Sequence, residues 1–565
     1  MIRLTVASLW VMATLVGVVY GDSDTADKGE LLYNGIRLPA EWPPRDMDQA
    51  SLDPMPVPYL EHPPAVIPID VGRQLFVDDF LIENTDLKRV FHTPTQDENN
   101  PVITAEPDKP ELEHKKGAAT ANTNHGGFFY DPRDKVFKLF YSYGLGGALV
   151  VDYSKDLVHW DRPELTPDRG NVVRPAQNGD HAIWLDLNAS EPDERLKYLV
   201  FDHRRQGSHM LDTSAEGVEW TERAETRRAG DYCSFFYNPF RDVWVYSIKH
   251  GKGERGRRRF YREGRDFVAD LGNWSYDSPD IVFWTAADRL DKPEPEGSYH
   301  PAAHDHGTQL YSLDAVAYES VMVGVHQILR GPWNGLCSKE KFPKLCDLEL
   351  GFSRDGFHWS RPEARTPFLA GTRKDGDWNR AYLHTMTGVF GILDDKLVFP
   401  YTGFSGMAPD GSRGVYHGGS IGLAWLRRDG FASMDAGQAE GSLTTRPVRF
   451  KGKYLFVNVD CPKGELRAEL LDENDQPIAP FTLANCQPVK TDSTLYQMTW
   501  KGAEDLAALA GKPVKIRFTL TNGELYAFWV SPDKSGASYG YVGAGGPGFP
   551  GVRDTVGRAA SEPAE

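Results

Sequence analysis

A five-bladed β-propeller followed by a C-terminal β-sandwich, an all-β fold, is predicted from three observations. The first is a repeated turn. Ser154, Ser214 and Ser353 each stand six residues before a tryptophan (Trp160, Trp220, Trp359), with Asp156, Glu216 and Asp355 two positions after the serine. An acid there accepts backbone N–H bonds, and the glycines at 217 and 356 supply a positive φ, so the stretch makes a tight turn with the indole packed behind it. Weaker copies surround Asp266 ("EGRDF") and Asp429 ("RRDGF"), which makes five.

The second observation is the strand order ahead of each turn. An apolar run, a polar turn and an aromatic-rich run recur at 126–143, 181–201, 234–248, 315–328 and 387–403. One unit is therefore strand, hairpin, strand, acidic turn, strand. No such unit can bury its own faces, and repeats of this size are the signature of propeller blades. A plain sandwich would not repeat with this internal order. The third observation is that residues 440–535 alternate strongly but lack the turn, as a separate sandwich should. The expected organisation is thus a signal peptide at 1–21, a Pro-rich arm at 22–70, the propeller at 71–439, the sandwich at 440–535, and a Gly-rich tail at 536–565, ordered only in part.

Composition limits the function. A formal charge of -17 argues against nucleic-acid or basic membrane-surface roles. One basic cluster, "RGRRRF" at 255–260, is either a solvated hairpin arm or an anchor for acidic or sulfated sugars. Residues 1–21 have an early arginine, an apolar stretch and small residues before Asp22, the pattern of a secretory leader, so a secreted or periplasmic location is expected, with no membrane attachment after cleavage. Five cysteines in an exported chain point to disulfides: Cys337 with Cys346 and Cys461 with Cys486, leaving Cys233 single. No CxxC or HExxH motif is present, so no metal site is assigned, and no cofactor is expected to be required.

In a propeller the innermost strand of every blade starts near the axis, so the residues just before those strands face one funnel. They are Asn124 and His125, Asp180 and His181, Asp231 and Tyr232, Asp314, and His384, with Glu319 farther along the fourth inner strand. Asp180, Asp231 and Asp314 hold equivalent places in three successive repeats. Converging carboxylates repel, which raises at least one pKa and separates an acid from a base, as glycosidic cleavage requires. Tyr232, Trp378 and Tyr382 are candidates to stack on sugar rings, or else to pack the blades. His384 and His181 could instead hold a structural cation in the channel.

Five blades followed by a sandwich resemble glycoside hydrolase families 32 and 43, and "GLAWLRRDGFASMDAG" with "GSLTTRPVRF" (422–450) resembles large exported bacterial proteins that are family-32-like. The resemblance implies an acid at the head of the first blade, an aspartate in a middle blade and a glutamate as proton donor. By position, Asp180 resembles the stabilising middle-blade aspartate. The first-blade head, however, offers Asn124 and His125, and an asparagine is neither nucleophile nor base.

A secreted glycosidase is the leading expectation, with Glu319 as general acid, Asp231 or Asp314 as base or nucleophile, and Asp180 as stabiliser. Asn124, His125, His181, Tyr232, Trp378, Tyr382 and His384 are expected to contact a polysaccharide or oligosaccharide. Two rivals are a carbohydrate-binding propeller without catalysis and a polysaccharide lyase using His and Tyr. Salt-bridged acids would favour the first, and a pocket dominated by His125, His181 or Tyr232 the second.

Overall fold

Three of the five expected acidic turns form as the sequence predicts. In the second repeat Ser214 Oγ alone accepts the Gly217 amide while Glu216 pairs with Arg133, and the Asp429 carboxylate instead binds Arg73, Tyr318 and Asn458. Asp355 Oδ1 accepts the amides of Phe357 (2.9 Å) and His358 (2.8 Å), and Ser353 Oγ accepts that of Gly356 at 2.9 Å. Asp156 and Asp266 bond the two following amides in the same way. Gly356 has φ +84°, which an L side chain rarely adopts; Leu157, with φ 69°, bears that strain in the first repeat. These details come from a computed structural model that describes residues 29–104, 120–144, 147–176, 179–250, 256–295, 299, 307–332 and 334–561. The leader at 1–21 lies outside them, as does Arg255.

The chain is all-β, with 44% of the described residues in strand against 5% in helix. Five antiparallel sheets follow in chain order. The first contains Ala121–Asp131, Val136–Tyr143, Ala148–Ser154 and Val172–Arg174, with Met386–Thr387 running parallel to its opening strand. The second holds His181–Leu185, Leu196–Asp202, Ser208–Ser214 and Thr221–Glu225. The third holds Ser234–Asn238, Val243–His250, Arg258–Gly264 and Val282–Thr285. Gln309–Glu319, Val321–Gly331 and Leu345–Ser353 build the fourth.

Ala381–His384, Lys396–Phe404 and Gly419–Arg427 build the fifth, whose last strand is covered by Thr95–Gln96 and Ile103–Thr104 from far upstream. That pairing satisfies an edge that would otherwise expose unpaired backbone groups. Neighbouring sheets meet through aromatic rings: Phe129 of the first opening strand lies 5.6 Å from Trp184 of the second, and Trp184 lies 6.3 Å from Trp244 on the second strand of the third sheet.

Two further sheets enclose a second buried cluster that includes Leu443, Val457, Phe518 and Phe528. One holds Tyr454–Asp460, Gly523–Ser531, Ala432–Ala436 and Asp492–Gln497; the other holds Gly441–Thr445, Lys515–Thr521 and Glu465–Leu471. Residues 74–91, expected within the repeat region, are strands of these sheets. Ile82–Thr85 pairs with Gly441–Thr445, Lys88–Phe91 with Ala432–Ala436, and Gln74–Leu75 with Gly523–Ser531. Strand pairing is chosen by edge availability, and the alternation at 74–91 carries no address.

The Pro-rich arm crosses the surface: the Arg289 amide bonds Leu52 O at 2.7 Å, and Trp42 packs edge-on against Phe357 at 5.6 Å. The Gly-rich tail is better anchored than its composition implies. Tyr541–Val542 adds a strand to Gln309–Glu319, and Phe549 is buried.

The cysteine pairs do not form; all five thiols are free and buried. Cys461 lies opposite Thr491, whereas Cys486 lies beside Ala468. Cys337 faces Pro332 O at 3.5 Å from a short helix, and Cys346 sits in a strand. Burial pushes the Cys337 thiol up to about 12, so it is inert as well as unpaired.

Candidate functional site

The residues expected just before inner strands do converge, although Asn124, His125, Asp314 and His384 lie within strands and only Asp180 and Tyr232 precede them. Asp180 Oδ1 accepts Asn124 Nδ2 at 2.9 Å, and Oδ2 accepts the Tyr232 amide at 2.6 Å, so one carboxylate joins the heads of the first three sheets. From there the Tyr232 hydroxyl donates to Gln327 Oε1 (2.9 Å) and approaches His384 Nδ1 (3.3 Å). The His125 ring packs 4.2 Å from Tyr232 while its Nδ1 meets Asp314 Oδ2 at 3.0 Å. Asn124, His125, Asp180, Tyr232, Asp314 and His384 thus belong to one connected cluster, extended by Tyr382, 4.2 Å from His384.

The backbone here is strained. Asn124 (φ 38°), His125 (φ 60°), Tyr232 (φ 57°) and Tyr382 (φ 50°) all occupy the left-handed region. Each costs on the order of 1–3 kcal/mol, and such residues gather where side chains must be held for a task.

Burial sets the protonation states. It would raise the Asp314 carboxyl, but His125 and Arg259 outweigh it and hold the group below the usual range. His384 is driven well below its ordinary value by burial, with His125 and Lys344 adding to the effect, and is therefore neutral. Asp231 keeps 47% of its side chain exposed and is ion-paired with Lys249.

Four expected site residues take other roles or places. Glu319 is fully buried and ion-paired with Arg73 (3.5 Å) and Arg428 (3.2 Å), and it accepts Ser538 Oγ at 2.6 Å. Five residues of strand separate it from Asp314, roughly 16 Å at ~3.3 Å each. It ties the fourth sheet to the segments at 73 and 538, and the proton-donor role assigned from sequence is not open to it. His181 bonds Tyr198 inside the second sheet, and burial lowers it to about 3. Trp378 packs on Tyr401 at 5.5 Å, beside the fifth sheet. Asp314, with 1% of its side chain exposed, backs His125 and is shielded from the mouth.

The structure adds a residue that no repeat position flagged. Lys344 Nζ, 1% exposed as a residue, donates to the hydroxyls of Tyr311 (2.8 Å), Tyr382 (3.1 Å) and Tyr416 (3.4 Å). Its charge also lies over all three rings, at 4.7, 4.3 and 5.0 Å. Among the described residues no carboxylate pairs with it, and burial pulls it down to about 7. The unfolded chain therefore binds the extra proton between about pH 7 and the ordinary 10.5. This group's contribution to stability rises with pH across that window. Lys344→Met should lose this rise, measured as the pH slope of the urea midpoint; equal slopes in both proteins would contradict the assignment.

No three His, Cys, Asp or Glu side chains are grouped to hold a metal ion among the described residues. No helix among them is long and apolar enough to cross a membrane.

No family model matches the sequence, and no curated protein matches it. Solved structures do resemble the fold. Glycoside hydrolases are among them. A glycosyl hydrolase from Bacteroides ovatus matches at 13% identity over 60% of this chain and 94% of its own, with a TM-score of 0.35. A fructofuranosidase from Schwanniomyces occidentalis matches at 12% identity over 77% and 99%, with a TM-score of 0.32. The catalytic domain of a Coprinopsis cinerea family-62 α-L-arabinofuranosidase matches at 11% identity over 59% and 97%, with a TM-score of 0.35.

Proposed function

We propose that this chain is an exported carbohydrate-active enzyme, a glycosidase acting on a polysaccharide or oligosaccharide at the mouth of a five-bladed propeller. In this reading the five sheets are the blades and the two sheets sharing the second cluster are the sandwich, joined by residues 74–91. The leader pattern at 1–21 supports export.

The observation that carries the reading is the Asp180 carboxylate, held by the Asn124 side chain and the Tyr232 amide where three sheets meet. Its two donors come from strained positions, so its direction is fixed before any substrate arrives. Asp180 and Asp231 are the half-exposed carboxyls of the mouth. Asp180 stabilises charge developing at the anomeric carbon, and Asp231, held by Lys249, is the second carboxylate of the pair. Lys344, titrating near neutrality, is the group able to hold and release a proton there. His125 and Asp314 position Tyr232 from behind.

A second reading, β-elimination by a lyase, is favoured by one feature: Tyr232 and the Lys344 tyrosine cage occupy the centre of the cluster. A panel of polysaccharides scored for new reducing ends and for the ultraviolet absorbance of unsaturated sugars separates the two. Asp180→Asn should lower turnover at least ~10²-fold with little change in melting. Unchanged turnover in that variant would remove Asp180 from the reaction.

A further inference from the structure

The cluster is divided by charge. Asp180 and Asp231 stand at the heads of the second and third sheets, while cations gather where the third sheet meets the fourth. Arg257, half-exposed, lies 4.9 Å over the Tyr311 ring, and its Nη1 donates to the neutral amide of Gln309 at 3.0 Å. Lys344 lies 4.7 Å from the same ring and is close enough to Arg257 and Lys249 for both to disfavour its charge. Arg259 is fully buried beneath. One nitrogen of its guanidinium reaches Tyr232 O (2.9 Å) and Ser247 O (3.3 Å), whereas Nε and Nη2 have no hydrogen-bond partner.

Among the described residues no carboxylate forms an ion pair with Arg257, Arg259 or Lys344. Of the nearby acids, Asp231 takes Lys249 and Asp314 takes His125, and Asp314 also offsets part of the Arg259 charge without contacting it, which leaves Arg257 and Lys344 uncompensated. A buried or half-buried cation without a counterion is costly, and the cost is recovered when an anion arrives. Guanidinium groups favour planar oxyanions such as carboxylate, and they also bind sulfate.

We infer that this cluster recognises an anionic sugar, one bearing a carboxylate or a sulfate ester, whose charged group docks on the half-exposed Arg257, while Lys344, buried in its tyrosine cage, adds positive potential from within. This rests on the carbohydrate reading above and names its substrate class. Tyr416, the half-buried member of the cage, is the ring open to apolar contact with a sugar, since Tyr311 and Tyr382 are buried.

The test is calorimetric binding of oligogalacturonate, alginate oligomers and sulfated galactan oligomers, against neutral galactan, xylan and levan oligomers. At least one anionic series should bind roughly tenfold or more tightly than every neutral one, and binding should weaken as salt is raised. Whether uronate or sulfated oligomers bind identifies the substituent. Arg257→Gln should weaken that binding about tenfold or more, as loss of a charge-assisted contact does, while Arg265→Gln, beside Asp242, leaves it unchanged. Arg257 is half-exposed, so its variant is expected to fold; its melting curve is recorded alongside.

Equal or tighter binding of neutral oligomers, absence of anionic binding, or an unaffected Arg257→Gln protein would each overturn the inference. Cleavage of a neutral glycan alone would leave the glycosidase reading standing and end this one. Charge-dependent binding without turnover would do the reverse.

Discussion

Glu319→Ala should cost about 3–5 kcal/mol of stability, the usual consequence of removing one partner from a buried ion pair. The carboxylate accepts the Arg73 amide at 3.0 Å and Ser538 Oγ at 2.6 Å, besides its contacts with two guanidinium groups. Arg73 also pairs with Asp429 at 2.8 Å, and Arg428 with Asp554 at 3.3 Å. Three carboxyls therefore share two cations in a dry site. Burial accordingly raises the Glu319 carboxyl even though Arg73 and Arg428 oppose the shift. Glu319→Gln keeps the hydrogen-bonding shape and should cost less than the alanine change. Urea unfolding of both variants, with turnover measured on the folded fraction, checks this. A Glu319→Gln protein of native stability but little activity would restore the proton-donor role and refute the structural one.

Trp359→Ala is expected to lose a similar amount, about 3–5 kcal/mol, as a large-to-small change in a packed core. The indole is 2% exposed and lies 6.1 Å from Trp284 and 5.7 Å from His326. Gly324 lies directly beneath; a Cβ built there would meet the indole at 2.5 Å, so the neighbouring strand has been left without a side chain to admit the ring. Trp160 and Trp220 are only partly buried in their own repeats, and their alanine variants should lose less. Thermal melting orders the three. Equal, small losses would mean that the repeated tryptophan is not a core anchor in the fourth sheet.

The repeat made much of this architecture readable. A serine, an acid and a tryptophan at fixed spacing form a local turn whose hydrogen bonds close within five residues, so the chain needs no distant partner to specify it. The same register predicts Asn124, Asp180, Tyr232, Asp314 and His384 just before inner strands; they do meet, although Asn124, Asp314 and His384 lie inside their strands. Glu319 was misassigned because a carboxyl in an apolar strand has the same local sequence whether it faces a substrate or two arginines. Arg73 and Arg428 stand 246 and 109 residues away from it in the chain.

Lys344 was invisible for a related reason. Its cage is drawn from Tyr311, Tyr382 and Tyr416, three tyrosines brought together by two sheets and a loop, and nothing in "KFPKLCD" distinguishes it from a surface lysine. The amino-acid sequence by itself determined the strand order, the turns and the convergence of the sheet heads, because short-range hydrogen bonding and hydrophobic alternation are local properties. Only the tertiary structure decided which charges are paired, which cysteines can meet, and that residues 74–91 close the second pair of sheets. Those outcomes depend on desolvation and distance between segments far apart in the chain, and a linear pattern carries neither quantity.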